Sequence, residues 1–499
     1  MISLGVDIGG TGCKCVAFSD AGDQLALVYS EYQIAAGQET LSPGMLQDAV
    51  YHVISGCVEQ LQQRVREIAS LTISSFGESF VALDRDGRAL GDILMYYGNT
   101  EDDEFRQLVA QVGEERFSEI TRILPDASYS LSKMLITRRM ADHPVWKYLF
   151  ISGYICYCLT GRACTDVSLA CRSLLYDVKN MCWSKELLQK CGIDEQTLPQ
   201  VLPTGSPVGM VLPHLAERLQ LPRTVTVVLG AHDQIVNALG AGVFCAGEAA
   251  DTTGTCECIT PLFSEIPEDQ MFRRCNYACV PYLNDSGYVT YAYNVSAGSV
   301  IRWYRDALNS GLRDAAKKLG KSSYDLMNEQ CPSAPTTLMV LPFLQGMGGT
   351  PEVQVAATGV IAGLTTQTRL PEIYRALLEG ITYEMRYNQE LLAENGIKLK
   401  RLYACGGGAR SDIWLQIKAD ILGCEIVRVE TEETGAMGSA ILGFAAVTGE
   451  DPLAIASRFI RYGARFTPNS SNQMIYDRQY AKYRLLRDFC AQSWKKETQ

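Results

Sequence analysis

The sequence has 499 residues, of which 47% are hydrophobic and 20% are charged, and this composition excludes a largely disordered chain. At roughly 150 residues per domain, the length predicts two to four domains. The formal net charge of −11, without runs of Lys or Arg, argues against a nucleic-acid scaffold, which needs clustered basic side chains, but not against a nucleotide ligand, which backbone amides and a metal ion also hold.

The chain begins directly with a strand pattern, without the basic and apolar segments of a signal peptide. Its longest uncharged run, 330–351, contains four prolines and is therefore unsuited to a helix in lipid. We expect a cytoplasmic protein with no nucleic-acid partner and no membrane partner.

Eighteen cysteines are dispersed along the chain, and three Cys-x-Cys pairs begin at Cys13, Cys156 and Cys256. The two thiols of such a pair share one face of a strand, so a thiolate metal site is an alternative. Because no Cys-x-x-Cys pair occurs and a cytosolic setting keeps thiols reduced, we expect the cysteines to be small core side chains.

The first half predicts three short strands, a long helix and two further strands. Apolar residues recur at helical spacing through the helix, and Ser42 followed by Pro43 is typical of its start. The predicted ranges are 2–7, 14–19 and 24–29 for the first strands, 42–69 for the helix, and 71–75 and 80–84 for the later strands. This order predicts a mixed sheet backed by helices.

The second half repeats this order, with an Asp-led Gly/Thr turn near its start, as in the first half. The predicted elements are strands within 247–261, at 276–281 and at 288–293, a helix from Ser296, a helix at 370–394, a strand at 401–405, a helix at 411–422, a strand at 425–429 and a helix at 434–447. The repeated order predicts an internal duplication, with an N-terminal domain over 1–245 and a C-terminal domain over 246–499 that ends in a helix.

The first chemistry-bearing segment, 7–14, is a strand that ends in Asp7 and turns through glycines. Backbone amides in such a turn approach phosphate oxygens closely, and a Thr hydroxyl adds a donor. Asp7 is suited to hold Mg²⁺ through water, and Lys14 to offset phosphate charge. The alternative is a hairpin turn with a capping Asp. Segment 251–255, Asp-Thr-Thr-Gly-Thr, has the same pattern, and two such hairpins facing each other would hold a triphosphate.

Three consecutive glycines at 406–408 lie between a predicted strand and a predicted helix. They indicate close approach of a flat or bulky group to the backbone, and the adenosine end of a nucleotide suits them. Neither the Gly-x-Gly-x-x-Gly spacing nor a Gly-Lys-Ser/Thr sequence is present. A packing turn or a helix C-cap is the alternative.

Asp233 follows a predicted strand over 224–229 and opens a helix. In α/β sheets the active site lies at this end of the strands, and a carboxylate there accepts the proton of an attacking hydroxyl. The alternative is a helix-capping Asp. The preceding His232 is expected to be a hydrogen-bonded neighbour rather than a metal ligand.

Taken together, these segments resemble the FGGY family of carbohydrate kinases, of the xylulokinase and glycerol kinase type, over nearly the whole chain. Gly10 departs from the Thr that most members carry. The motifs that carry the resemblance are, in chain order, 7–14, 230–234, 251–255, 359–364 with 372–379, and 406–411 with Trp414, Asp420 and 433–440.

The resemblance implies an α/β fold of two ribonuclease-H-like domains, of the actin and hexokinase type, around an interdomain cleft. It implies transfer of the γ-phosphoryl group of ATP to a hydroxyl of a sugar or polyol, with Mg²⁺. Asp233 is implied as the general base, and Asp7 and Asp233 as the residues near the metal ion. The implied nucleotide-binding residues are Asp7, Gly9, Gly10, Thr11, Lys14, Gly254, Thr255, Gly407, Gly408, Ala409 and Ser411.

The departures concern the acceptor. Xylulokinase-like members usually carry Trp, Asp and Arg in the stretch 94–99, where this chain places Tyr97 and Asn99 at the Asp and Arg positions. Glu78 stands where a His is usual. The candidate acceptor-binding residues, Glu78, Tyr97, Asn99, His232 and Asp233, therefore suit a sugar or polyol other than xylulose. The residues name neither that acceptor nor the oligomeric state, and a homodimer is left open.

Two other classes share the superfamily. An actin- or chaperone-like ATPase would hydrolyse ATP slowly without stimulation by sugar, and only about 50 residues follow the last motif, too few for a peptide-binding domain. An iron–sulfur activator ATPase, suggested by the cysteine count, would carry iron.

Overall fold

The computed structural model describes residues 1–35, 37–98, 100–283 and 286–497. These residues form two compact units. The first contains 1–244, 278–289 and 433–460, and the second contains the other described residues. After position 245 the chain thus returns to the first unit twice, at 278–289 and at 433–460. A division into two continuous domains at 245 does not contain these two returns.

Most strands are short, and several pair only locally. In chain order they are β1 Ile2–Ile8, β2 Gly12–Ser19, β3 Gln24–Glu31, β4 Thr40–Leu41, β5 Ile68–Ser75, β6 Phe80–Leu83, β7 Ile93–Leu94, β8 Lys147–Phe150, β9 Cys164–Asp166, β10 Tyr176–Asp177, β11 Cys182–Trp183, β12 Gln200–Leu202, β13 Pro207–Met210, β14 Thr226–His232, β15 Glu248–Thr253, β16 Glu257–Phe263, β17 Val280–Pro281, β18 Tyr288–Val289, β19 Ala292–Asn294, β20 Met339–Leu341, β21 Val360–Ala362, β22 Arg401–Cys405, β23 Glu425–Val429 and β24 Tyr462–Phe466.

The helices vary from single turns to more than seven turns. In chain order they are α1 Pro43–Leu61, α2 Asp103–Val112, α3 Glu114–Thr121, α4 Ser130–Met140, α5 Ile151–Thr160, α6 Val167–Cys171, α7 Lys185–Cys191, α8 Pro213–Arg218, α9 Asp233–Ala241, α10 Gln270–Arg274, α11 Gly298–Trp303, α12 Leu312–Lys318, α13 Ser323–Gln330, α14 Leu370–Glu394, α15 Asp412–Leu422, α16 Thr434–Thr448, α17 Pro452–Phe459 and α18 Ser470–Glu497.

The first unit is built on a six-stranded sheet in the order β13-β14-β5-β1-β2-β3. Strands β1, β2 and β3 are successive antiparallel neighbours, whereas β1, β5 and β14 run parallel. Nearly every residue of β1 is buried, as expected for a strand covered on both faces. The carboxyl ends of the three parallel strands therefore meet at one edge of the sheet.

The second unit repeats this topology. Its sheet runs β19-β16-β15-β22-β23-β24, with β15 antiparallel to β16, β16 antiparallel to β19, and β15, β22 and β23 parallel. Both sheets thus contain the strand order 3-2-1-4-5 with an antiparallel second strand, which is the ribonuclease-H-like order. The predicted α/β class and the predicted duplication are confirmed.

Several predicted boundaries differ from the structure. The predicted helix over 42–69 is too long, because α1 ends at Leu61 and Gln62 adopts φ +50°. Ile68 already pairs with Ile2 in the sheet, which outweighs the helical spacing of its apolar neighbours. The predicted strands at 276–281 and 288–293 shrink to β17, β18 and β19, which belong to different units.

Two helices of the first unit cross at very close range. A Cβ on Gly240 of α9 would lie 1.9 Å from the carbonyl oxygen of Thr434, and a Cβ on Gly438 of α16 would lie 1.9 Å from that of Val236. Only glycine permits this approach. The contact therefore ties the helix that follows β14 to the helix that returns from the far end of the sequence.

The described helices include none that is both long enough and apolar enough to cross a membrane.

Candidate active site

The turn after β1 brings Asp7 and Lys14 together. The two residues are paired in the antiparallel register of β1 and β2, and Lys14 Nζ lies 3.3 Å from Oδ2 of Asp7. Gly9 donates its amide to the carbonyl of Gly12 at 2.9 Å, and Thr11 is exposed at the tip. The predicted hairpin is therefore present, with its charged pair at the base and Thr11 exposed at its tip.

Glu433 completes this group. Its Oε2 lies 2.8 Å from Lys14 Nζ, so the ammonium is held between two carboxylates. Burial acts against the charged ammonium, but the charges of Asp7 and Glu433 outweigh it and raise the pKa of Lys14. Burial raises the pKa of Asp7, and the nearby charge of Asp233 raises it further, against the effect of Lys14.

Asp233 stands where β14 ends and α9 begins. His232 is the N-cap residue of α9, and its Nδ1 accepts from the amide of Gln234 at 3.3 Å. The alternative in which Asp233 serves as the N-cap is therefore wrong. Nδ1 of His232 also lies 3.0 Å from Oδ1 of Asp233. Burial favours the protonated acid, but His232 and the hydrogen bonds from Gln234 outweigh it and lower the pKa of Asp233.

A buried polar network positions the end of β14. The amide of His232 donates to Ser168 Oγ at 2.8 Å, and Ser168 Oγ donates to Oδ2 of Asp166 at 2.6 Å. Thr204 also donates its hydroxyl to Asp166 at 3.0 Å. Because Asp166 is fully buried, these bonds fix the backbone that carries Asp233.

Asp7 and Asp233 are close enough for their charges to interact, which brings the two candidate metal residues into one region. Within the described ranges, no group of three or more His, Cys, Asp and Glu side chains is arranged to hold a metal ion. Two carboxylates alone fit Mg²⁺, which keeps several waters and takes further oxygens from phosphates. All eighteen cysteines are free thiols, and most of them are buried.

Glu78 lies beside this group in an unusual backbone conformation. Its φ is +65°, a left-handed value that costs a non-glycine residue about 1–3 kcal/mol. The side chain accepts from Arg172, whose Nε lies 2.5 Å from Oε1. A Cβ on the preceding Gly77 would lie 2.8 Å from the ring of His232. Glu78, Arg172 and His232 are therefore neighbours, and sequence reasoning missed Arg172.

Tyr97 contacts Tyr96, and Tyr96 in turn lies against Gly10 in the turn after β1. Their rings meet edge to face at 5.1 Å, and the hydroxyl of Tyr96 lies 2.9 Å from the position of a Cβ on Gly10. A larger residue at 10, such as the Thr of most family members, would displace Tyr96, which gives a physical reason for Gly10. Asn99 lies outside the described residues.

In the second unit, the hairpin after β15 rests on a buried charge cluster. Lys418 Nζ lies 2.5 Å from Asp251 and 2.9 Å from Glu257, and it donates to Thr253 Oγ1 at 2.8 Å. All three charged side chains are at most 2% exposed. Sequence reasoning missed Lys418, because a lysine on a helix is usually at the surface.

Gly254 and Thr255 are exposed at the tip of this hairpin. No described atom would come within 4 Å of a Cβ on Gly254, so the side-chain direction of this residue is open, although its amide donates to the carbonyl of Cys256 at 2.8 Å. Arg302 donates to the hydroxyl of Thr255 at 3.4 Å. The tip therefore offers backbone and hydroxyl groups beside a cation.

The glycine-rich turn packs directly on this hairpin. Gly406 has φ +77°, and a Cβ on Gly408 would lie 2.6 Å from the side chain of Thr253. Gly407 is exposed, whereas Ala409 is buried and accepts at its carbonyl from Arg428. Ser411 is the N-cap of α15. The structure thus brings all predicted nucleotide-binding residues of the second unit together.

The segment 433–440, grouped with the adenosine-binding motifs in the sequence, lies in the first unit. Its first residue, Glu433, contacts Lys14, and its Gly435 approaches Asp7, since a Cβ there would lie 2.9 Å from Oδ2. Within the first unit it therefore contacts the β1–β2 hairpin, in addition to its contact with α9.

Comparison with known proteins identifies the family. Residues 2–240 match the FGGY family of carbohydrate kinases, N-terminal domain, and residues 252–447 match its C-terminal domain. The chain belongs to the FGGY family of carbohydrate kinases. It is accordingly an ATP-dependent phosphotransferase that acts on a carbohydrate hydroxyl.

Relatives with different names are about equally similar. A gluconokinase from Bacillus licheniformis is 28% identical over 95% of this chain and 93% of its own length. A xylulose kinase from Lactococcus lactis is 26% identical over 96% and 94%. Among solved structures, a xylulose kinase from Lactobacillus acidophilus matches with a TM-score of 0.87 at 22% identity, covering 99% of both chains. A gluconate kinase from the same organism matches with a TM-score of 0.85 at 23% identity, again over 99% of both chains.

Proposed function

We propose that Asp233 is the general base of the kinase reaction and that the acceptor hydroxyl belongs to a sugar or polyol bound beside it. The observation that carries this proposal is the position of Asp233 at the carboxyl end of β14, where its charge interacts with that of Asp7 and its pKa is lowered. An ionised carboxylate is the form that accepts a proton.

In this proposal Asp233 orients the acceptor hydroxyl and takes its proton as the hydroxyl oxygen bonds to the γ-phosphorus of ATP, while the bond from that phosphorus to the bridging oxygen of the β-phosphate breaks and ADP leaves. Phosphoryl transfer requires little covalent work from the protein, since alignment and charge neutralisation supply most of the rate. Lys14 and the amides of Gly10 and Thr11 bind phosphate oxygens, and Gly9, whose amide closes the turn by donating to Gly12, lets the phosphate approach the backbone. Mg²⁺, held through Asp7 and Asp233, would neutralise charge on the phosphates.

The second unit supplies the remaining nucleotide contacts in this proposal. Gly254 and Thr255 bind phosphate oxygens, and Gly407, Gly408 and Ala409 contact adenosine, with Ser411 behind them. The exposure of Gly254 and Gly407, and the absence of any described atom within 4 Å of a Cβ on either, support these roles. A cytoplasmic location and a homodimer stay predictions.

The test is an ADP-release assay with pentoses, hexoses, polyols and aldonates as acceptors, followed by Asp233→Asn on the best of them. We expect kcat to fall by ~10²–10⁴-fold, the range for loss of a general base, with ATP affinity by calorimetry unchanged. Asp451→Asn is the matched control, because Asp451 caps α17 away from the site. Full turnover in Asp233→Asn would overturn the assignment.

A further inference from the structure

We propose that the acceptor is an uncharged polyol or sugar rather than a sugar acid, and that the ion pair between Glu78 and Arg172 makes this selection. The inference rests on the proposed function, because it takes the surroundings of Asp233 as the place where the acceptor binds. The family comparisons do not distinguish between a neutral and an acidic acceptor, since the similar proteins include gluconokinases and xylulose kinases at nearly equal identity.

The guanidinium of Arg172 is already engaged. Its Nε and Nη2 both contact Oε1 of Glu78, and it stacks over the ring of Tyr129 at 4.8 Å. The side chains of Glu78 and Arg172 are only 10% and 13% exposed. An arginine without such a partner is the preferred residue for binding a carboxylate, and here the protein supplies that carboxylate itself.

The backbone conformation of Glu78 directs its side chain toward Arg172. Its left-handed φ is accompanied by a hydrogen bond from Ser130 Oγ to its carbonyl at 3.1 Å. Both contacts with Arg172 use Oε1. Among the residues that the structure describes, no donor reaches Oε2, so this oxygen is available to accept from a hydroxyl. A hydroxyl bound there makes a charge-assisted hydrogen bond.

The charge balance around Asp233 also disfavours an anion. The group contains the carboxylates of Asp7, Glu78, Asp233 and Glu433 against the cations of Lys14 and Arg172, each of which lies within ion-pair distance of at least one of these carboxylates. The charge of Lys133 also reaches Glu78, but this ammonium is fully buried and donates to the backbone carbonyls of Ser128 and Tyr129, so it is not exposed to an acceptor. An aldonate carboxylate would therefore meet no uncompensated cation in this described group, and like charges placed side by side are strongly unfavourable. Neutral hydroxyls can donate to its carboxylate oxygens.

The test compares acceptors matched in carbon number, for example glucitol with gluconate and xylitol with xylonate, by kcat/KM in the ADP-release assay. We expect the neutral members to be preferred by about 100-fold. In Glu78→Gln, which removes the carboxylate paired with Arg172 and one negative charge, we expect the ratio to shift at least about tenfold toward the aldonates. Glu39→Gln, near Tyr97, removes a charge without touching Arg172 and should leave the ratio unchanged.

A preference of the wild type for aldonates would overturn this inference and leave the proposed kinase function intact. An unchanged ratio in a folded Glu78→Gln would overturn the role of the ion pair. If that variant does not fold, Arg172→Gln replaces it, and any shift toward aldonates in that variant contradicts the inference. Absence of ADP release with every acceptor would instead contradict the proposed function itself.

Discussion

The ammonium of Lys14 lies 2.8 Å from a carboxylate oxygen of Glu433, although the two residues come from nearly opposite ends of the chain. Lys14 begins the return of the first hairpin, and Glu433 directly precedes α16. The contact exists because α16 packs against β1 and β5 within the first unit. Two carboxylate neighbours, rather than one, therefore fix the position of this ammonium before a phosphate binds.

We predict that Lys14→Met lowers kcat/KM for ATP by ~10²–10³-fold, the usual effect of removing one charge-stabilising donor. The carboxylates of Asp7 and Glu433 would then repel each other and the phosphates. Steady-state kinetics with varied ATP measure the loss. Lys185→Met, at an exposed position, is the control and should retain wild-type kinetics. A comparable loss in Lys185→Met would show that the effect comes from folding rather than from the position of Lys14 in the site.

The pH dependence of the reaction follows from Asp233. Its pKa lies below the ordinary value of 3.8, so the base is ionised, and active, at every pH well above that value. We therefore expect kcat/KM to show no loss from Asp233 between about pH 8 and 5. The same shift means that ionised Asp233 stabilises the fold at neutral pH and that this contribution disappears as the pH falls through its folded pKa. An acid limb near pH 6 that vanishes in Asp233→Asn would contradict the assignment.

The glycine crossing of α9 and α16 gives a prediction about stability and rate together. In Gly438→Ala the added methyl would overlap the carbonyl of Val236, and we expect a loss of about 1–3 kcal/mol from overpacking. Because α9 begins at Asp233 and α16 follows Glu433, kcat should fall as well. Thermal melting and kinetics check both effects.

The control for this crossing is Gly44→Ala in α1, where the nearest atom would be 3.7 Å away. Alanine is the better helix former by about 0.5–1 kcal/mol, so this variant should melt no earlier than the wild type. Equal melting temperatures for Gly438→Ala and the wild type would show that α9 and α16 can move apart without loss of stability, and would contradict this prediction.

Lys418→Met tests the buried cluster of the second unit. Removing the cation leaves Asp251 and Glu257 buried without compensation, and we expect a loss of about 3–5 kcal/mol near pH 8. Burial raises the pKa of Glu257 even beside Lys418, and loss of the cation raises it further, so the folded variant takes up a proton at Glu257 more readily than the unfolded chain. Its loss should therefore shrink as the pH falls towards 5.

Thermal melting of Lys418→Met at pH 5 and pH 8 checks whether the loss of stability shrinks as the pH falls. In the wild type the raised pKa of Lys418 means that its stabilisation is present below its ordinary pKa and is lost only in strong alkali. Lys398→Met, at an exposed position, should melt like the wild type at both pH values. A loss in Lys418→Met that is the same at pH 5 and 8 would contradict the account.

Elements with strong local patterns were predictable from the sequence. The range of α14, 370–394, was predicted to the residue, and α15 and α16 to within one residue, because long amphipathic periodicity and capping residues are local properties. The strands near 276–293 were not, since their pairing depends on which unit each short segment joins. Local patterning contains no such information.

The hairpins, the glycine-rich turn and the position of Asp233 after β14 were predictable from the sequence alone, because short-range spacing fixes which backbone and side-chain groups a turn exposes. The partners of those groups were decided only by the tertiary structure. Arg172 beside Glu78, Glu433 beside Lys14 and Lys418 beneath Thr253 all come from elements distant in the chain. Ion pairs of this kind arise when sheets and helices pack, and packing, not periodicity, determines which buried charges meet.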